Sequence, residues 1–135
     1  MALQYSVTVR NARLDAVETA VGATAIMRIR SGAPPANCAT ADAGTVLATL
    51  TLPSDWMAAA SSGQKLKSGT WQDLAADAAG TAGHFRVYDS SGTTCHIQGT
   101  VTATGGGGDM TVDNTVLAAG QEFTVTAFGL TAGNA

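Results

Sequence analysis

The hydrophobic period of this chain changes once, at Gly22, and that change limits the folds open to it. Up to that glycine, Leu3, Val7, Arg10, Leu14, Val17 and Val21 recur at spacings of 4, 3, 4, 3 and 4. That is one face of an α-helix, with Arg10 as its only polar member. Gly22 predicts the stop, because glycine closes a helix in the left-handed conformation without strain. The run Tyr5-Ser6-Val7-Thr8-Val9 alternates and is β-branched, which opposes helix there, so the start is expected between Gln4 and Val9. A helix of roughly 18 residues would be about 27 Å long.

Beyond Gly22 the period is two. Strands are predicted over Thr24–Arg30, Thr45–Leu52, Lys65–Lys67, Thr70–Leu74, His84–Tyr88, Thr94–Thr104, Met110–Val112, Thr115–Leu117 and Glu122–Leu130. The best patterned is Thr94–Thr104: Cys95, Ile97, Gly99, Val101 and Ala103 share one side, and threonines, His96 and Gln98 the other. Such alternation marks an antiparallel strand with one solvated face. Ser31–Asn37, with its Pro34-Pro35 pair, and Gly105–Gly108 read as loops. Pro53 ends a strand, and Ser54 caps a short helical turn expected through Trp56 to Ala60. Short strands at turn spacings of about 8–12 residues predict a mainly β chain. The expectation is an N-terminal helix over 1–22 and an antiparallel β-sandwich, jelly-roll-like, of about eight strands over 23–135, forming a single structural unit.

Composition decides which functions suit such a domain. Ala, Thr and Gly supply 61 of 135 residues, and charged residues are 13%, about half the usual share. The net charge of −3 and the lack of a Lys/Arg cluster exclude a phosphate-binding surface for nucleic acid. Long charge-free stretches, such as those from Ser31 to Asp42 or from Ser90 to Asp109, are rich in Gly, Thr and Ser, so no membrane span is expected. The opening Met1-Ala2-Leu3-Gln4 has no basic and apolar leader pattern, so no secretory signal is expected. Cys38 and Cys95 are therefore expected as reduced thiols, with a disulfide between them open only after release into an oxidising medium.

No pattern of residues carries recognisable chemistry. Cys38, Cys95, His84 and His96 lack metal-ligand spacing, and neighbours on a strand face opposite ways. Gly105–Asp109 lacks the Lys-Ser/Thr of a phosphate loop. Asp109, Asp113 and Asn114 lack the glycine and closing glutamate of a calcium loop. With two histidines and no nucleophile motif, no catalytic triad is indicated, and nothing pairs the carboxylates Asp55, Asp73, Asp77 and Glu122 for glycoside cleavage. Trp56, Trp71 and Tyr88 offer a sugar-stacking platform or core anchors. Neither an enzyme nor a cofactor-binding protein is expected. The features that lean toward a partner are the narrow helical stripe and the flat, low-charge β faces.

Several segments carry a resemblance: Val9–Asp15, Arg30–Cys38, Leu52–Met57, Gly80–Arg86 and the closing Leu130–Ala135. Over nearly its whole length the chain resembles a family of small proteins encoded in tailed-bacteriophage and prophage genomes. The resemblance implies synthesis in the bacterial host cytoplasm and incorporation into the virion. Small β-sandwich proteins with an appended segment are similar to capsid decoration (cement) proteins, which often sit as trimers on the capsid lattice. This implies a homotrimer whose other partner is the major capsid protein or another virion protein. Tail or head-to-tail connector components, and carbohydrate- or receptor-binding modules, are the competing roles. The expected contact residues are Leu3, Val7, Arg10, Leu14, Val17 and Val21 of the stripe, or Trp56 and its loop. No carboxylate lies at the offset Arg10 prefers, so its partner is open between this chain and a neighbour.

Overall fold

The computed structural model describes residues 3–133. The chain is mainly β with one N-terminal helix. Helix α1 spans Val7–Val21, and Ser6 caps it by accepting a hydrogen bond from the Val9 amide. Gly22 closes it at φ 92°, donating to the Glu18 carbonyl. A side chain at that φ would be strained, so the period change coincides with a conformational requirement for glycine. The alternating run ahead of Val9 supplies the cap and first turn instead of a strand.

Among the described residues ten strands follow: β1 Ile26–Ser31, β2 Val46–Thr51, β3 Gln64–Leu66, β4 Trp71–Asp73, β5 Gly80–Tyr88, β6 Cys95–Ala103, β7 Met110–Val112, β8 Val116–Leu117, β9 Phe123–Val125 and β10 Gly129–Thr131. The main sheet runs β2-β1-β5-β6-β7, with β8 on the first residues of β5. Two short ribbons, β10-β3 and β4-β9, complete the β structure in a sandwich-like arrangement. The predicted strand Glu122–Leu130 is two strands. It breaks where Phe128 turns into the core, so that each half pairs with a different partner.

The main sheet divides its two faces sharply. Met27 and Ile29 register with Leu50 and Ala48 on one side and with Val87 and Phe85 on the other. Phe85 and Val87 in turn meet Gly99 and Ile97. An aromatic chain links this face to the ribbons. Phe85 meets Phe128 edge-on at 5.6 Å, Phe128 lies 5.3 Å from Trp71, and Trp71 lies 5.9 Å from Trp56. Gly99 leaves room for this packing, since a Cβ there would lie 2.8 Å from the Phe85 ring. The opposite face carries Arg28, Arg30, His84, Arg86 and Tyr88 in register.

The parallel pairing of β6 with β7 was not legible as such. Parallel neighbours normally need a crossover of a dozen residues or more, yet only Thr104–Asp109 lie between these two strands. Four glycines make the short reversal possible. Gly105 and Gly107 take positive φ, and Cβ atoms on Gly106 and Gly108 would press on the Thr102 side chain at 2.7–2.8 Å. Asp109 then accepts hydrogen bonds from the Thr100 amide and hydroxyl, which brings the chain back to the start of β7.

Edge strand β2 is closed by polar groups. Its Thr49 amide donates to the Asp73 carboxylate at 2.9 Å, and its Leu47 carbonyl accepts from the Asp77 amide at 2.8 Å. An edge satisfied in this way offers less for another strand to pair with. The helical turn expected over Trp56–Ala60 does not form. The amides of Met57 and Ala60 donate to helix carboxylates and that of Ala58 to the Leu66 carbonyl, which draws these three away from a local turn.

Candidate functional site

The buried Lys, Arg and His side chains gather in two regions. The first is the seat of α1. Lys65 on β3 is buried beneath the helix, and its ammonium lies 2.7 Å from Asp15 and 3.0 Å from Glu18. It also donates to the Ala58 carbonyl. Asp15 accepts from the Ala60 amide, Glu18 from the Met57 amide, and Asn11 from the Gly63 amide. The hydrogen bond from Lys65, and then that from Ala60, hold the Asp15 carboxyl below its ordinary value. Burial disfavours the Lys65 charge, but Asp15 and Glu18 outweigh it and raise its pKa.

The helix is therefore seated on its own domain, mainly through polar groups. Leu14 and Val21 are buried, and of the two only Val21 joins the continuous core. We expect Lys65→Met to loosen this seat. The two carboxylates lose their cation, but both are partly exposed and can rehydrate, so the expected cost is about 2 kcal/mol. Thermal melting would measure it, together with faster amide exchange across Val7–Val21.

The expected contact residues separate along this helix. Arg10, Leu14, Val17 and Val21 lie wholly or partly within the fold. Among the described residues Arg10 finds no carboxylate: its Nε donates to the Ala132 carbonyl at 2.7 Å and its guanidinium packs on Gly63. Trp56 is fully buried, and its Nε1 donates to the Gly22 carbonyl at the end of α1. It is a core anchor and has no surface to offer a partner, which corrects the expectation for it. Leu3 and Val7 stay outside, 74% and 50% exposed, with Tyr5 and Val9 beside them. The sugar platform is likewise corrected, since Trp56, Trp71 and Tyr88 are all buried.

The second region did not emerge from the sequence at all. The connection from β1 to β2, residues 32–45, folds as a strap over the polar face of the main sheet. Asp42 is its main anchor. One carboxylate oxygen accepts from Arg86 at 2.7 Å and from the Tyr88 hydroxyl at 2.6 Å, and the other from Arg30 at 3.0 Å. Arg86 also donates to the Asn37 carbonyl and to Gln98, which donates to the Pro35 carbonyl. His84 Nδ1 lies 2.8 Å from the Gly32 carbonyl. Arg30, His84, Arg86 and Tyr88 are all buried.

Electrostatics explain why such a face can be covered. Burial opposes ionisation of Asp42, but hydrogen bonds from Tyr88 and Arg86 and the two guanidinium charges outweigh it and lower its pKa. Arg86 is likewise desolvated, and Asp42 restores and raises its pKa. A buried charge is tolerated only when paired and hydrogen-bonded in this way. Two buried nitrogens, Arg30 Nε and His84 Nε2, have no hydrogen-bond partner. They belong to residues in direct register across β1 and β5.

A bulge brings the thiols into this region. Between the pairs Val87–Ile97 and Tyr88–Cys95 the register of β6 slips by one residue, past His96. Cys95 therefore faces Tyr88 instead of continuing the Ile97 side, as strict alternation had implied. Its Sγ lies 3.0 Å from Sγ of Cys38 on the strap.

One signal could have found the strap's seat. The chain has seven Lys and Arg in all, and Arg28, Arg30 and Arg86 occupy same-face positions on two predicted strands. Spending so many of few charges on one sheet face implies a covering acid. Among the described residues, no group of three or more His, Cys, Asp or Glu is placed to hold a metal ion. No helix among them is long and apolar enough to cross a membrane. Comparison with family models, with curated proteins and with solved structures finds no match for this chain.

Proposed function

We propose that this chain is a structural protein of a tailed-phage virion, a decoration protein that binds the outside of the assembled capsid as a homotrimer and stabilises it. Synthesis in the bacterial host cytoplasm and residence in the virion go with this reading. The observation that carries it is the exposed apolar end of the helical arm. The domain satisfies its core and seats the later turns of α1 without Leu3 and Val7, which remain in solvent. Two such side chains each gain about 1.5–3 kcal/mol on full burial. Repeated over a lattice of copies, that is enough to bridge joints between capsid subunits. Binding only to the assembled shell then raises the shell's stability by mass action. The low charge of the domain and the resemblance of its segments to phage proteins support the same reading.

The test is a Leu3→Asp/Val7→Asp double variant. Both positions lie outside the core, so circular dichroism should show the parent's secondary structure, with any loss in melting temperature no larger than dissociation of the trimer accounts for. Light scattering should show the parent as a trimer and the variant as a monomer, and the variant should fail to co-sediment with capsids. A variant that keeps both the trimer and capsid binding would sink the assignment of this arm. Six- or twelve-fold rings in place of trimers would move the protein to the tail or neck. With Trp56, Trp71 and Tyr88 buried, the carbohydrate-binding alternative has lost its aromatic platform.

A further inference from the structure

The strap over the polar sheet face is held on both sides of Cys38 before any covalent bond exists. Gln98 donates to the Pro35 carbonyl at 2.7 Å, and Arg86 to the Asn37 carbonyl at 2.9 Å. The Asn37 side chain accepts from the amides of Ala39 and Thr40, which fixes the turn that carries Cys38. Asp42 anchors the far side through Arg30, Arg86 and Tyr88. On the sheet, the slip of β6 past His96 sets Cys95 opposite Tyr88. The two sulfurs meet at 3.0 Å, and both residues are half-buried, neither sealed in the core nor fully open.

We propose that Cys38 and Cys95 are a cross-linking site, closed to an intrachain disulfide by exchange with a small-molecule disulfide such as oxidised glutathione. The bond staples the strap across the arginine face. The reaction balances within these partners. The Cys38 thiolate attacks one sulfur of the reagent, a bond to Cys38 forms, and one glutathione leaves as a thiolate. Cys95 then attacks the Cys38 sulfur of the mixed disulfide, and the second glutathione leaves. The two protons lost by the cysteines end on the two glutathione thiols. The cysteine pair is oxidised by two electrons, and the reagent is reduced by the same two.

The order of steps follows from the surroundings of Cys95. Burial, and then the neighbouring Cys38, push its thiol up to about 12, so little of it is thiolate near neutral pH. Capping Cys38 removes that residue's own contribution, and the Arg86 charge favours the Cys95 thiolate. A mixed disulfide on Cys38 is therefore resolved by the thiol already beside it. The strap is ordered by its hydrogen bonds, so closing the bond requires little further ordering. The unfolded chain, by contrast, becomes constrained across a span of 57 residues. This inference stands apart from the capsid assignment and is tested without it.

The experiment incubates the full chain in defined ratios of reduced and oxidised glutathione, then measures intact mass, free thiols and melting temperature. Expected is the loss of two hydrogens and of both thiols together, with no lasting glutathione adduct. The oxidised form should melt higher by about 10 °C. The Cys95→Ser variant should instead retain glutathione on Cys38. A Cys38→Ser/Cys95→Ser variant should melt like the reduced parent, which separates loss of the bond from loss of the fold. The proposal is overturned if the parent keeps a stable glutathione adduct, keeps both thiols free, or forms only intermolecular disulfides.

Discussion

Replacing Asp42 by Ala should lower the melting temperature by about 10 °C, corresponding to about 3 kcal/mol at this chain length. One carboxylate serves three donors in the fold: Arg30, Arg86 and Tyr88. Arg86 keeps Gln98 and the Asn37 carbonyl. Arg30 keeps a 3.3 Å contact to the Gly44 carbonyl, and the Tyr88 hydroxyl loses the Asp42 acceptor. Breaking a buried ion pair by removing one partner strands the other charge, which costs more than the pair contributes. The figure is set at the low end because the Asp42 side chain is itself 38% exposed, and water can reach the site when the strap lifts.

The same substitution has a pH signature. Asp42 titrates below the ordinary carboxylate value of 3.8 in the folded protein. A carboxylate whose pKa is depressed on folding contributes its full stability above the unfolded value, and that contribution is lost as pH falls through the folded value. The difference in melting temperature between parent and Asp42→Ala should hold steady above about pH 5. It should shrink as the pH falls below 4 or so. A difference unchanged down to pH 2 or so would mean that the carboxylate charge is not what holds the strap. Asp42→Asn, which keeps the shape and removes the charge, should fall between the two proteins.

Gly83→Ala should be nearly as damaging, for a reason of space. The pairing of β1 with β5 slips at Gly83, so that Ser31 meets Ala82 directly. The strap's first peptide lies against the bulged residue. A Cβ on Gly83 would strike the Gly32 carbonyl oxygen and come within 2.7 Å of its carbon and 2.8 Å of its nitrogen. Backbone cannot rotate away as a side-chain tip can, so the start of the strap must move or the bulge must open. Overpacking of this kind costs about 3 kcal/mol. His84 would lose its contact to the Gly32 carbonyl as well. Thermal melting measures the cost. Amide exchange should rise first between residues 32 and 45, and a variant with parental exchange there would contradict this account of the bulge.

Much of the fold was legible because it is written in local period. The stripe and the stop at Gly22 follow from helix geometry, and both stand from Val7 onward, while Leu3 lies ahead of the helix. Alternation located most strands within a residue or two, because one buried face forces every second side chain to be apolar. The errors share a cause. The strand predicted over Glu122–Leu130 and the helical turn after Ser54 were drawn from local preference. Distant partners decided them: β3 and β4 split the first, and Asp15 and Glu18 took the amides of the second. Trp56 was offered as a surface anchor because a sequence does not say which side of a loop is covered.

What the sequence by itself determined is the N-terminal helix with its stop, most of the strands and their order. Those depend on periods of 3.6 and 2 and on glycine's freedom at positive φ. Only the tertiary structure decided that Asp15 and Glu18 seat the later turns of α1 on Lys65 while Leu3 and Val7 remain outside. It alone closed the strap over Arg30 and Arg86 and set Cys38 against Cys95. These are meetings of groups tens of residues apart. A charge on a strand looks the same in sequence whether water or a carboxylate of a distant loop will face it, and burial alone makes the difference.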